Sequence, residues 1–201
     1  NEFGQQIRAE GPEGHMLKSG TPTMGGLLIM VSMSLPFLVF SQRTLEALTV
    51  FFVALGCAAI GLLDDWTKLT RRRSLGLAGR WKLALLVLIS VFVGVVAYRQ
   101  RDIDTSIYLP LIGVDLELSY AWYGLLFLMI AGAANGVNLT DGLDGLAAGT
   151  VTISLFTYTA IGVVAWLVSQ RAGAEDIGQL DLAILGASLI GASIGFLWYN
   201  A

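Results

Sequence analysis

The chain of 201 residues is 55% hydrophobic and only 13% charged, with a formal net charge of −3 and a mean hydropathy of +0.71. About 25% of the residues of a typical soluble protein are charged. The composition therefore excludes an ordinary soluble domain and predicts a membrane protein.

Six apolar segments approach the length of a membrane-spanning helix, since crossing about 30 Å of hydrocarbon takes roughly 17–25 residues. A soluble protein with buried helices would need polar faces at helical spacing, and segments such as LALLVLISVFVGVVAY have none. We predict an all-α fold, a polytopic transmembrane helical bundle that forms a single transmembrane domain. The first and third segments are short, so we expect them to use flanking residues or to tilt little. The predicted spans are 25–40, 45–63, 83–98, 121–137, 146–168 and 182–199.

The basic residues predict how the bundle is oriented. If the spans alternate, eight Lys and Arg residues share a side with the N-terminal segment, and four lie on the other side. Cytoplasmic loops carry the excess of Lys and Arg, so we expect the first side, with both chain ends, to face the cytoplasm. The eight are Lys18, Lys68, Lys82, Arg8, Arg71, Arg72, Arg73 and Arg80, and the four are Arg43, Arg99, Arg101 and Arg171.

Outside the spans, the outer loop 100–119 contains IYLPL and VDLELS, which together favour a small β-hairpin. The polar segment 1–20 lacks the apolar core of a cleavable signal. Cys57 is the single cysteine and lies in a predicted span, so we expect no disulfide framework. The chain begins without Met and stops directly after an apolar run, and we expect it to be an internal piece of a longer protein.

Three polar clusters lie on the predicted cytoplasmic side, and the first is KSGTPTMGG, residues 18–26. Its glycines and proline form a turn that leads into a helix start, where free backbone amides and the helix dipole favour an anion. An ordinary interfacial loop is an equally good interpretation of Gly and Pro. Lys18 and the two threonines, including Thr23, favour phosphate binding slightly.

The second cluster is GLLDDWTKLTRRR, residues 61–73. Asp64 and Asp65 are predicted to end the second span, where the partial negative charge of a helix C-terminus disfavours carboxylates by roughly 0.3–1 kcal/mol each. They require a compensating cation, either Lys68 or a divalent metal such as Mg²⁺, which takes one or two carboxylates plus phosphate oxygens. Solvated boundary residues are the less favoured alternative, because acids within membranes are usually functional. The three arginines are interpreted as a cytoplasmic anchor.

The third cluster is NGVNLTDGLDGLA, residues 135–147. If the fourth helix continues through it, Asn138, Asp141 and Asp144 recur every third residue and share one stripe. A polar stripe in a membrane must face protein or water. A polar contact between helices is the alternative, although two acids are a costly means of joining helices.

The three clusters bring carboxylates, a lysine and a Gly-Thr-Pro turn to one predicted membrane face. This combination favours Mg²⁺-assisted phosphoryl transfer, in which the protein mainly positions the reacting groups and neutralises their negative charge. An ion-coupled carrier that uses the acids as a relay is the alternative from another class. Carriers place such residues near the bilayer midplane. The predicted clustering at one face therefore favours an enzyme.

The segments KSGTPTMGG, IGLLDDWTK, GRWKL, NGVNLTDGLDGLA and GFLWYN resemble, in this order, those of the bacterial phospho-N-acetylmuramoyl-pentapeptide-transferase family, one branch of the polyprenyl-phosphate sugar-1-phosphate transferases. The resemblance implies a Mg²⁺-dependent reaction of UDP-N-acetylmuramoyl-pentapeptide with undecaprenyl phosphate that gives lipid I and UMP. It places the protein in peptidoglycan synthesis at the bacterial inner membrane, among membrane lipids and as a homodimer; we expect no nucleic acid partner. The related N-acetylglucosamine-1-phosphate transferases share the paired aspartates and remain the alternative.

The resemblance also implies roles for individual residues. Asp64 matches the aspartate that deprotonates or orients the lipid phosphate, and Asp65 matches its essential neighbour. Asp65 and Asp141 are the candidate Mg²⁺ ligands. The family has ten spans and a Met-Gly-Asp element after GFLWYN, so we expect a further aspartate ligand beyond residue 201. Positions that bind substrate in the family are matched by Lys18, Thr23, Lys68, Asn138, Asp141, Asp144 and Asn200.

Overall fold

A computed structural model of the chain describes residues 25–71, 76–100, 105–140 and 145–200. Within these ranges it contains six helices and one hairpin of two strands. All the helices except α1 are long and apolar enough to cross a membrane. The predicted polytopic helical bundle is thereby confirmed. In chain order the elements are α1 (Gly25–Phe40), α2 (Leu45–Arg71), α3 (Gly79–Arg99), β1 (Ser106–Leu109), β2 (Val114–Glu117), α4 (Ala121–Thr140), α5 (Leu146–Arg171) and α6 (Ile177–Asn200).

The helices extend past most of the predicted apolar segments. The prediction that Asp64 and Asp65 end the second helix is wrong, because α2 continues to Arg71. An apolar run ends where the hydrocarbon ends, whereas the backbone hydrogen bonds of a helix continue into the interface, where polar side chains are tolerated. Both acids therefore lie inside α2, away from the last turn, where the helix dipole acts most strongly.

The described residues divide into two compact units, and α1, α2, α5 and α6 belong to the first. Its centre is α6, which packs against the other three helices. Phe37 of α1 and Phe51 of α2 stack with ring centroids 4.8 Å apart. They form a buried core with Met33, Ala47 and Leu185. This core fixes α2, and with it the acids, relative to α6.

Small residues bring α5 and α6 together. A side chain at Gly162 would meet Ala183 and the backbone oxygen of Gln179, and one at Gly186 would overlap the hydroxyl of Thr159. Helices in lipid associate largely through such close backbone approach, since lipid tails are as apolar as leucine. The apolar residues on the remaining faces of α5 are left exposed, as expected of a helix that faces lipid.

A buried carboxylate joins α6 to the loop between α1 and α2. Asp181 is fully buried, and its two oxygens accept hydrogen bonds from the backbone N–H groups of Gln42 and Thr44, each at 2.8 Å. Thr44 directly precedes α2, so the carboxylate also lies at the positive end of that helix's dipole. Between the two bonded residues, Arg43 has a φ of 61°, which shows how tightly the loop turns around Asp181.

The second unit contains α3, the hairpin and α4 up to Leu139. The antiparallel strands pair Ser106 with Glu117 and Leu109 with Val114. The hairpin predicted within residues 100–119 is thereby confirmed, and its outer side stays a prediction. Tyr123 of α4 contacts α3 at Gly94, where a side chain would meet its ring. The single transmembrane domain stays a prediction, since each unit is compact by itself.

Candidate functional site

Asp64, Asp65 and Lys68 of α2 form a compact polar group, which we call the Asp64–Lys68 cluster. The Nζ of Lys68 lies 2.8 Å from Oδ2 of Asp64 and 3.0 Å from Oδ1 of Asp65. Acids three and four residues before a lysine lie on either side of it on a helix surface, and the order acid then lysine is the favourable one. One cation thus compensates both carboxylates, as the sequence suggested for Lys68, and the cluster keeps one net negative charge.

The two adjacent aspartates differ in their exposure. Consecutive helix positions are about 100° apart, so Asp64 and Asp65 cannot face the same environment. The side chain of Asp64 is 9% exposed, whereas that of Asp65 is 46% exposed. Asp64 is therefore largely enclosed by protein, with a small part of its carboxylate open, and Asp65 is the more accessible of the two acids.

Gly76 and Leu77, shortly before α3, cover Asp64. The backbone N–H of Leu77 donates a 2.8 Å hydrogen bond to Oδ1 of Asp64. Oδ2 already accepts from Lys68, so both oxygens of this buried carboxylate are engaged. Gly76 permits the approach, because a Cβ there would overlap the carboxylate of Asp64. Sequence reasoning missed Gly76 and Leu77, and the glycines of SLGLAG were the only signal.

The fifth helix begins with a left-handed glycine. Gly145, the last glycine of the DGLDG stretch, has a φ of 76° and precedes α5 as its N-cap. A Cβ at this position would meet Leu197 of α6 at 3.2 Å, and Ala147, two residues further along, is buried. This turn therefore holds the start of α5 close to the end of α6. Its positive φ at position 145 is a conformation that glycine adopts without a steric cost.

The other predicted site residues are placed as follows. Asn138 is exposed in the last turn of α4, in the second unit. Asn200 is the final residue of α6, and only its backbone is described. The predicted stripe from Asn138 to Asp144 stays a prediction, since α4 is described as far as Thr140. Lys18, Thr23, Asp141 and Asp144 lie outside the described residues.

A divalent cation has candidate ligands in the cluster. Within the described ranges no three Asp, Glu, His or Cys side chains meet in a group able to hold a metal. Mg²⁺ needs no such cage, since one or two carboxylates and substrate phosphate oxygens hold it in many sites. The exposed carboxylate of Asp65 fits this pattern, and the predicted ligand Asp141 lies outside the described residues.

Residues 47–201 match the family model described as glycosyl transferase family 4. The chain belongs to this family. Residues 18–30 also match the first signature of phospho-N-acetylmuramoyl-pentapeptide-transferase. The family resemblance recognised in the sequence is thereby confirmed.

Three curated relatives are similar to the chain over almost the whole length of the chain. All three are named phospho-N-acetylmuramoyl-pentapeptide-transferase. The protein of Rubrobacter xylanophilus is 40% identical over 206 residues, that of Bacillus subtilis 39% over 204, and that of Syntrophus aciditrophicus 41% over 206. The matches cover 100%, 100% and 99% of this chain, but 59%, 59% and 57% of the respective relatives. The chain thus spans about three fifths of their length. Lys18 and Thr23 fall in the signature, and the other predicted site residues fall in the family match.

Proposed function

We propose that the protein containing this chain transfers phospho-N-acetylmuramoyl-pentapeptide from UDP to undecaprenyl phosphate, giving lipid I and UMP in peptidoglycan synthesis. The names of the relatives and the signature at residues 18–30 support the choice of donor. The structural observation that carries the proposal is the Asp64–Lys68 cluster, which joins two carboxylates and one cation on a membrane-spanning helix.

The position of the cluster along α2 favours an enzyme at the membrane surface over a carrier. Asp64 lies nineteen residues after Leu45, the first residue of α2. At 1.5 Å per residue this is about 28 Å along the axis, close to the full thickness of the hydrocarbon core, which is about 30 Å. Carriers bind their ions near the midplane. A site at the boundary is accessible both to a lipid phosphate and to a soluble nucleotide, and the distribution of Lys and Arg favours the cytoplasmic face.

The exposure of the two acids suggests a division of roles. Lys68 and the Leu77 amide hold Asp64 in one orientation, so that its carboxylate orients the lipid phosphate or accepts its proton. A phosphate has a second pKa near 6, so little basicity is required. The lipid phosphate oxygen bonds to the sugar-bearing phosphorus of the donor, and the bond from that phosphorus to the UMP oxygen breaks.

Mg²⁺ is the cofactor that we propose. When bound, it neutralises the charge that spreads over the transferring phosphoryl group. Asp65 would hold it, together with Asp141 and a further aspartate of the longer protein. Lys68 reduces the negative charge of the cluster, and this limits the repulsion between the two acids and the diphosphate.

The test measures UMP release by the purified full-length protein with undecaprenyl phosphate, Mg²⁺ and either UDP-N-acetylmuramoyl-pentapeptide or UDP-N-acetylglucosamine. We expect release with the muramoyl donor only. Replacing Asp64 with Asn should lower turnover at least a hundredfold. The matched control is Asp115→Asn, an exposed acid on β2, which should leave turnover unchanged.

Each other outcome overturns part of the proposal. Near-normal turnover of Asp64→Asn would remove Asp64 from the site. Release from UDP-N-acetylglucosamine alone would replace the donor with that of the related transferases. If neither donor releases UMP while the reconstituted protein moves ions across vesicles, the function is that of a carrier.

A further inference from the structure

The hairpin between α3 and α4 is amphipathic, although only two strands form it. Directly paired residues, and residues two apart on a strand, share a face. The register therefore places four aliphatic side chains on one face and Ser106, Tyr108, Asp115 and Glu117 on the other. The aliphatic face consists of Ile107, Leu109, Val114 and Leu116.

The turn of the hairpin continues the aliphatic face. The N–H groups of Ile112 and Gly113 both bond to the oxygen of Leu109, at 3.2 and 2.9 Å. The tip between the strands is Pro110, Leu111, Ile112 and Gly113, without a charge. Leu111 is 99% exposed and Ile112 67% exposed. Tip and face together form one uncharged surface, which we call the hairpin surface.

The described residues of the second unit leave most of the hairpin surface uncovered, although Ile107 is half-buried. Neither strand packs extensively against α3 or α4 in the described residues of this unit. Val114 and Leu116 are each 48% exposed. An isolated hairpin of two strands is marginally stable at best in water, and stability requires that an apolar face be packed. The fold therefore requires an occupant for this surface.

Continuity with the lipid-facing helices identifies the occupant. Only residues 118–120 separate β2 from Ala121 at the start of α4, so Glu117 lies at most about 14 Å from that membrane-spanning helix. Tyr98, near the end of α3, is 77% exposed, and Tyr120 is 88% exposed. Exposed aromatic residues at span ends typically mark the level of the lipid headgroups. The hairpin therefore lies within reach of the membrane interface.

The charges indicate which face meets the membrane. Asp115 and Glu117 both lie on the face opposite the hairpin surface, so one orientation buries aliphatic groups in lipid and leaves both acids in water. An apolar face opposed by a charged face is the pattern of elements that lie in the plane of a membrane interface. We propose that the hairpin lies flat on the bilayer at the face where α3 ends, with the hairpin surface inserted among the lipids.

The test attaches an environment-sensitive NBD fluorophore to single cysteines in a variant of the full-length protein in which Cys57 and any other native cysteine are replaced by Ala. Leu111 and Val114 report the hairpin surface, and Asp115 is the matched control, because it is the next residue of β2 and faces the other way. All three are exposed, so the labels displace no packed group. The labelled proteins are placed in nanodiscs of phosphatidylcholine and phosphatidylglycerol, with shallow spin-labelled lipids or aqueous iodide as quenchers.

Labels at positions 111 and 114 should be quenched by the spin-labelled lipids at least threefold more than the label at 115. The label at 115 should be quenched by iodide. Equal iodide quenching at 114 and 115 would place the hairpin in water and refute the proposal. Protection of 114 from both quenchers would also refute it, because protein would then cover the surface; if dilution removed that protection, the cover would be a second copy of the chain.

Discussion

Replacing Asp181 with Asn tests whether the buried carboxylate holds α6 to the loop before α2. The change keeps the size of the side chain but turns one acceptor oxygen into an NH₂ donor. Each oxygen of Asp181 accepts a backbone N–H at 2.8 Å. The variant can therefore satisfy either Gln42 or Thr44, but not both, and the remaining N–H faces a second donor.

The expected cost follows from the burial of the group. A hydrogen bond to a charged partner contributes about 1.5–3 kcal/mol, and leaving a buried donor unpaired costs about 1–3 kcal/mol. We take the lower part of these ranges, about 3 kcal/mol together, because side-chain hydrogen bonds measured in membrane proteins are modest, at roughly 0.6–2 kcal/mol each. For a chain of this size that corresponds to a decrease in melting temperature of about 6–12 °C.

The measurement is the fraction of detergent-solubilised protein that remains monodisperse after heating. The matched control is Asp176→Asn, an exposed residue that caps α6 through a 3.2 Å bond to the N–H of Gln179. Asn caps helices about as well as Asp, so the control should melt like the parent protein. If Asp181→Asn also melted within 2 °C of the parent, the two backbone bonds would contribute no net stability and the reasoning would fail.

Three other substitutions test the cluster and its surroundings. Lys68→Met should lower turnover at least tenfold and also destabilise the protein by about 1–3 kcal/mol, since it leaves the nearly buried carboxylate of Asp64 without its cation. Lys68→Arg should restore part of the activity, and equal activity of Met and Arg would refute the role of the cation. Gly76→Ala should lower turnover by displacing Asp64, whereas Gly79→Ala, with open space around it, should not. Gly145→Ala should lower the free energy of unfolding by about 1–2 kcal/mol, because a residue in the left-handed conformation disfavours a Cβ. The control is Gly149→Ala, which lies in a helix with open space around it. In thermal melts the control should be neutral or stabilising.

The sequence predicted the membrane class and the core of each helix, because continuous apolar runs have only one stable environment. It failed at the end of α2. The composition changes at Asp64, but the helix continues to Arg71, and Lys68 compensates both acids one turn later. Local spacing was sufficient to predict that pairing. It was insufficient for the Leu77 bond to Asp64, since a contact between residues 13 apart leaves no helical period in the sequence.

The two ends of α2 illustrate how the position of a carboxylate decides the free-energy cost of burying it. At the N-terminus, Asp181 complements the helix dipole and two free backbone donors, so its burial contributes to the fold. Asp64 lies far from the N-terminus of α2, where the dipole would favour a carboxylate, and its carboxylate is held by Lys68 and by the backbone N–H of Leu77. A structural role would be met as well by an apolar residue, since buried ion pairs contribute little net stability compared with hydrophobic replacements. The cost of keeping Asp64 charged inside the protein therefore favours a chemical role, and on this basis Asp64→Asn should lower turnover far more than it lowers stability.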